Sequence, residues 1–199
     1  EEGSIHDTTM AINFLGRMSQ DIERMINLVN DLLELSRIES GRIRLELQPI
    51  NLLDIIQEIV SDSNIKHSGE SICIRMSGDL QPIDVLADEG RLRQIFINLI
   101  ENAIRFTDKD GTINIRYMVS HNMVEIHVQD SGIGISPEHH NRIFERFYKV
   151  EKARREFGTG LGLSIVKEIV DLHDGTISVQ SKEGIGSDFY FTLPIYDVS

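Results

Sequence analysis

The 199-residue chain has the length of one ordinary globular domain with room for an added helical element. Its formal net charge of −12 excludes the basic footprint that non-specific nucleic-acid binding needs, so no nucleic-acid partner is expected, and it fits an anionic membrane surface poorly. The single cysteine, Cys73, permits no internal disulfide and suits a reducing cytoplasm; no apolar run approaches a membrane span and no signal peptide is evident, so any membrane anchor is expected outside these residues.

Residues 10–39 carry Ile12, Leu15, Ser19, Ile22, Ile26, Val29, Leu33 and Ser36 at alternating three- and four-residue spacings, a heptad seam. Met18, Met25 and Leu32 form a second row, which widens the stripe to that of a helix in a four-helix bundle. Gly41 supplies the helix stop. A lone helix cannot bury such a stripe. Its partners are expected from sequence outside the chain or from a second copy, as a homodimer through the N-terminal helix.

Residues 42–49 alternate (Ile43, Leu45, Leu47) as a short strand or extended linker, and 52–61 read as a helix. Strands are expected at 71–77 and 85–87. Asp88 caps a helix over 89–106, whose Leu92, Ile95, Phe96, Leu99 and Ile100 make a core face. Strands at 111–119 and 123–129 flank a His121-Asn122 turn, and 130–158 is loop-rich around a short helix at 137–147. A helix over 161–172 and strands at 176–181 and 188–193 complete the chain. Strands and helices mix without regular β-α-β alternation, which predicts an α+β class: a mixed sheet packed on helices and preceded by a long bundle helix. The division expected is 1–45 for that helix and 46–199 for the α+β domain.

Four segments carry chemistry. Asn98 and Asn102 stand four apart on one helix face, where neutral carbonyl oxygens suit Mg²⁺ sharing its shell with substrate phosphates; solvated or capping amides are the plainer alternative. Asp130-Ser131-Gly132-Ile133-Gly134-Ile135 follows a strand. A strand-end Asp can accept from an exocyclic amine such as adenine's, and glycines let backbone approach a flat ring, although a tight turn uses the same residues. Gly158-Thr159-Gly160-Leu161-Gly162-Leu163 runs into a helix, so backbone amides and the helix start favour phosphates. It is neither a Walker loop nor a Rossmann fingerprint. Gly184-Ile185-Gly186-Ser187 reads alone as a turn.

In this order, Asn98-Leu-Ile-Glu-Asn-Ala, Asp130-Ser-Gly-Ile-Gly-Ile, Phe144-Glu-Arg-Phe-Tyr148 and Gly158-Thr-Gly-Leu-Gly-Leu resemble the N, G1, F and G2 boxes of sensor histidine kinases of two-component systems. These belong to the GHKL ATPase superfamily with DNA gyrase B, Hsp90 and MutL. The stretch from Arg24 to Gly41, with Asn30-Asp-Leu-Leu33 inside it, resembles the second helix of the dimerisation and phosphotransfer domain. The resemblance runs from about residue 10 to residue 194 and implies a Bergerat-type fold that holds ATP with Mg²⁺ between helices, under a lid over 148–157. It also implies a response-regulator receiver domain as partner.

Carried onto this chain, the resemblance gives Asn98 and Asn102 the metal and phosphates, and Asp130 the adenine amine with Gly132 and Gly134 lining the ring. Arg105 stands where the family has a phosphate-contacting Lys, Phe106 where an aromatic residue stacks on adenine, and Lys149 as a phosphate contact. Gly158, Thr159, Gly160, Leu161, Gly162 and Leu163 complete the cofactor-binding set. Asp174 replaces a Gly after His173, and Asp188 follows Ser187; both depart from the family pattern. The acceptor segment, His-Glu/Asp-x-x-x-Pro, is missing: His6 lacks its Pro and stands too close to Asn30, and residues 1–7 resemble the end of the first bundle helix and the turn after it. The remaining histidines show no zinc spacing with Cys73. The implied activity is ATP-dependent histidine phosphorylation in the intact protein, with this piece unable to phosphorylate itself. A serine kinase of the anti-sigma type and a purely regulatory nucleotide-binding module are the competing readings.

Overall fold

The computed structural model describes residues 2–40, 44–69, 71–78, 80–150 and 159–196. Its first half runs α1 (Glu2–Glu39), β1 (Gln48–Asn51), α2 (Leu52–Lys66), β2 (Cys73–Met76), β3 (Asp84–Ala87) and α3 (Glu89–Phe106). Its second half runs β4 (Thr112–Ser120), β5 (Met123–Asp130), a 3₁₀ turn (Pro137–His139), α4 (Gly162–Leu172), β6 (Ile177–Lys182) and β7 (Gly186–Pro194).

Period-two alternation places Ile113 and Ile115 of β4, Val124, Ile126 and Val128 of β5, and Phe189, Phe191 and Leu193 of β7 in the core. The five strands lie in the order β2-β4-β5-β7-β6; only β2 and β4 pair in parallel, so the sheet is mixed. β1 and β3 form a separate antiparallel ribbon. Helices cover the apolar face through Leu52, Ile55, Ile56 and Ile59 of α2, the Leu92–Ile104 face of α3, and Ile165, Val166, Ile169 and Val170 of α4. Phe96 of α3 meets Phe191 of β7 edge-on, ring centroids 5.7 Å apart. On the opposite face Asp188 accepts from Arg116 at 2.8 Å and contacts His127 Nδ1 at 3.1 Å, so this departure from the family pattern has partners of its own.

Among the described residues, α1 docks near its C-terminal end. Leu35 and Ile38 are buried, Glu34 pairs with Arg91, and Gln94 Nε2 donates to Glu34 at 2.6 Å. Upstream, Ile12, Leu15, Ile22, Ile26, Val29 and Leu33 all stay more than half exposed.

Several expectations need correction. Residues 2–7 are not the turn after a preceding helix: α1 begins at Glu2 and carries His6 within it, because Ser4 to Met10 contain neither Pro nor Gly to stop propagation. In place of a helix over 137–147 there is a 3₁₀ turn followed by further turns, and Phe147 takes a left-handed backbone (φ 61°). Over 42–49, expected as a short strand or extended linker, the described residues 44–47 form no strand and β1 starts at Gln48, where β3 offers a partner. α2 continues to Lys66, five residues past the predicted end. Residues 151–157 of the expected lid, and with them Gly158 of the glycine-rich segment, lie outside the described residues.

Candidate functional site

α3, the end of β5 and the start of α4 enclose a cleft of about 1110 Å³, walled on one side by α1. α3 exists because Asp88 caps it, accepting from Arg91 N–H at 3.0 Å, and because its apolar face is spaced for the core. The same helical period turns half-buried Asn98 and Asn102 toward the cleft, with exposed Arg105 and half-buried Phe106 a turn further on.

At the end of β5, buried Asp130 is aimed by the backbone around it: Oδ1 accepts from Gly132 N–H at 2.8 Å and from Ser187 N–H at 3.2 Å. The second oxygen, Oδ2, takes part in neither bond. Burial holds the Asp130 carboxyl above its ordinary value; the two N–H bonds offset part of this, and Asp188 adds to it. Gly132 does not line the cleft. A Cβ there would sit 2.1 Å from the Phe106 carbonyl oxygen, so this glycine serves by letting β5 pass α3 closely. Gly134, at φ +67°, does line it, and a Cβ there would collide with the Lys182 carbonyl.

Thr159, Gly160, Gly162 and Leu163 line the cleft together with Lys149. Gly160 (φ +76°) accepts from Phe147 N–H at 2.9 Å, which ties the Phe144–Tyr148 segment to the glycine loop. Leu161 is the exception: its side chain is fully buried in the core and does not line the cleft. α4 starts at Gly162 with no side-chain cap from Leu161, which leaves first-turn amides for a ligand, and Gly162 lies beside the Asn98 amide oxygen.

Sequence reasoning missed three contributors to the cleft. Glu23, Asn27, Asn30 and Asp31 of α1 line it, and their three- and four-residue spacing was the available signal. Ser187 lines it beside Asp130. His139 and Tyr148 line it as a pair, Nδ1 to hydroxyl 2.6 Å, with the Arg142 guanidinium 4.3 Å over the Tyr148 ring.

A mixed sheet on helices thus brings a buried strand-end Asp, paired Asn and the start of α4 to one cleft, an arrangement of the α+β class. Residues 87–197 match the family described as histidine kinase-, DNA gyrase B-, and HSP90-like ATPase. The sensor protein kinase WalK of Staphylococcus aureus is 37% identical over 202 residues, covering 98% of this chain and 47% of that protein. The solved catalytic domain of the histidine kinase ThkA is 33% identical at a TM-score of 0.67, covering 75% of this chain and 96% of that one. Full-length ShkA in complex with AMPPNP is 31% identical at a TM-score of 0.74, covering 88% of this chain and 36% of that one. The chain belongs to this ATPase family, and within it to the catalytic domains of histidine kinases. It spans less than half the length of the curated relatives it matches.

Proposed function

We propose that residues 46–199 bind Mg-ATP in the cleft and, in the whole protein, pass the γ-phosphate to a histidine and from there to an aspartate of a response-regulator receiver domain. Residues 1–45 act as a helix of the dimerisation and phosphotransfer unit, pairing with a second copy. The reading places the protein's catalytic part in the cytoplasm; among the described residues no helix is long and apolar enough to cross a membrane.

The observation that carries the reading is the arrangement of Asp130, Asn98 and the α4 start around one cleft. Adenine's amine would donate to the Asp130 carboxylate, already oriented by Gly132 and Ser187. Phe106 offers a ring for the base, and Gly134 a wall without a side chain. Arg105, Lys149 and the backbone from Thr159 to Gly162 would meet phosphates. Among the described residues no cluster of three His, Cys, Asp or Glu forms, so a cage made of protein alone is not what this cleft offers. The Asn98 and Asn102 amide oxygens fit a hard ion whose other ligands are phosphate oxygens and water. The chemistry Mg²⁺ would supply there, held by Asn98 and Asn102, is neutralisation of phosphate charge. The chain's own residues position the nucleotide and supply fixed dipoles around it.

Incubation of this chain with a separately supplied phosphotransfer domain and labelled ATP tests the reading. Acid-labile, base-stable phosphate on that domain's histidine is the expected result. Nucleotide binding without any phosphohistidine would overturn the kinase assignment and leave a regulatory module.

A further inference from the structure

The polar face of α1 that walls the cleft has no part in the reading above. Half-buried Asp31 accepts from Thr159 Oγ1 at 2.8 Å, and that same Oγ1 accepts from Leu161 N–H at 3.2 Å. A single hydroxyl thus links the carboxylate of one helix to the N-cap amide of another. Helix starts collect partial positive charge, and here α1 brings an anion to the start of α4. Burial holds the Asp31 carboxyl above its ordinary value; the Thr159 bond offsets part of this, and Glu34 adds to it. This is an incompletely compensated anion, in a partly desolvated place where charges interact more strongly than in water. The contact is one of several that dock this end of α1, beside buried Leu35 and Ile38 and the Glu34–Arg91 pair.

Asp130 marks the base end of the cleft and the α4 start its phosphate end, so the phosphate farthest from the base is the one that approaches Asp31 and Thr159. We propose that Asp31 discriminates triphosphate from diphosphate: its docking on Thr159 and the binding of a terminal phosphate at the α4 start oppose each other. The proposal rests on the nucleotide-site reading above and adds to it a residue outside the ATP-binding domain. Linkage makes the effect reciprocal, so a triphosphate loosens the 27–38 part of α1 and a diphosphate leaves it docked.

Calorimetry with Mg²⁺ and either ADP or the β,γ-imido analogue of ATP, on the full 199-residue chain, tests this. Asp31→Asn keeps an acceptor for Thr159 and removes the charge; Asp31→Ala removes both. Both variants should bind the triphosphate analogue about fivefold tighter or more, with ADP affinity within about twofold of the parent. Hydrogen exchange over 27–38 of the parent should be faster with the analogue than with ADP, and this difference should vanish in Asp31→Asn. An unchanged analogue-to-ADP ratio in both variants, with ADP still binding, would overturn the proposal alone. A parent chain that binds no ADP would overturn the nucleotide-site reading and the proposal with it.

Discussion

Asp174 holds a left-handed backbone (φ 56°) directly after His173 at the end of α4. The next residue, Gly175, is fixed by space, since a Cβ there would lie 2.0 Å from the Thr192 carbonyl oxygen. At position 174 a glycine would adopt the same conformation without steric cost, while Asp pays for it. Asp174→Gly is therefore expected to raise stability by about 0.5–1 kcal/mol, partly offset by the freer unfolded chain. Thermal and urea unfolding of parent and variant check this, with Tm and midpoint both rising. Residue-level placement was legible where it came as a motif: Asp130, Asn98 and Gly160 all line the cleft. It was not legible for Gly132, Leu161 and Ser187. Whether a residue in such a motif faces a ligand or the core depends on close approaches of β5 to α3 and β7, which no local pattern encodes.

Asp88 decides the geometry of a whole element. Its carboxylate accepts from Arg91 N–H and from Glu46 N–H, both at 3.0 Å, so it caps α3 and pins the chain entering β1. Burial alone would raise its pKa, but these two bonds and the charge of Arg91 outweigh it and hold the carboxyl below its ordinary value. A depressed folded-state pKa contributes stability that is present above the unfolded value near 3.8 and is lost as pH falls below it. Asp88→Ala should cost about 1–2 kcal/mol at neutral pH and progressively less in acid, as chemical denaturation across pH would show. The cap and core face of α3 were readable because they are local signals. The 137–147 stretch was misread because its apolar residues, Ile143 and Phe144, pack into the core from turns rather than from a helix face. Periodicity over so short a run does not separate the two.

At the scale of the molecule, an ATPase domain and a long N-terminal helix were legible in the sequence, but not that the two meet at the cleft through Asp31 and Thr159. Contacts between distant segments leave no periodic trace in either one. The exposed stretch of α1 carries Ile12, Leu15, Ile22, Ile26, Val29 and Leu33, each worth about 1.5–3 kcal/mol when buried. Sedimentation should therefore show a concentration-dependent dimer, and Ile22→Glu with Ile26→Glu should give a monomer that still binds ADP. A parent chain that stays monomeric at high concentration would refute the pairing of α1.

The central claim, that this cleft holds adenine on Asp130, is tested most directly by titrating parent, Asp130→Ala and Asp130→Asn with Mg-ATP over a range of pH. On this claim the ionised carboxylate would be the acceptor; its folded-state pKa is raised by burial, so parent affinity should fall as pH drops from neutral toward a window above 3.8. Asp130→Ala should lose about 2–3 kcal/mol of binding at neutral pH, and Asp130→Asn should lack the parent's pH dependence in that window. Equal affinities for the three chains at every pH would contradict the account.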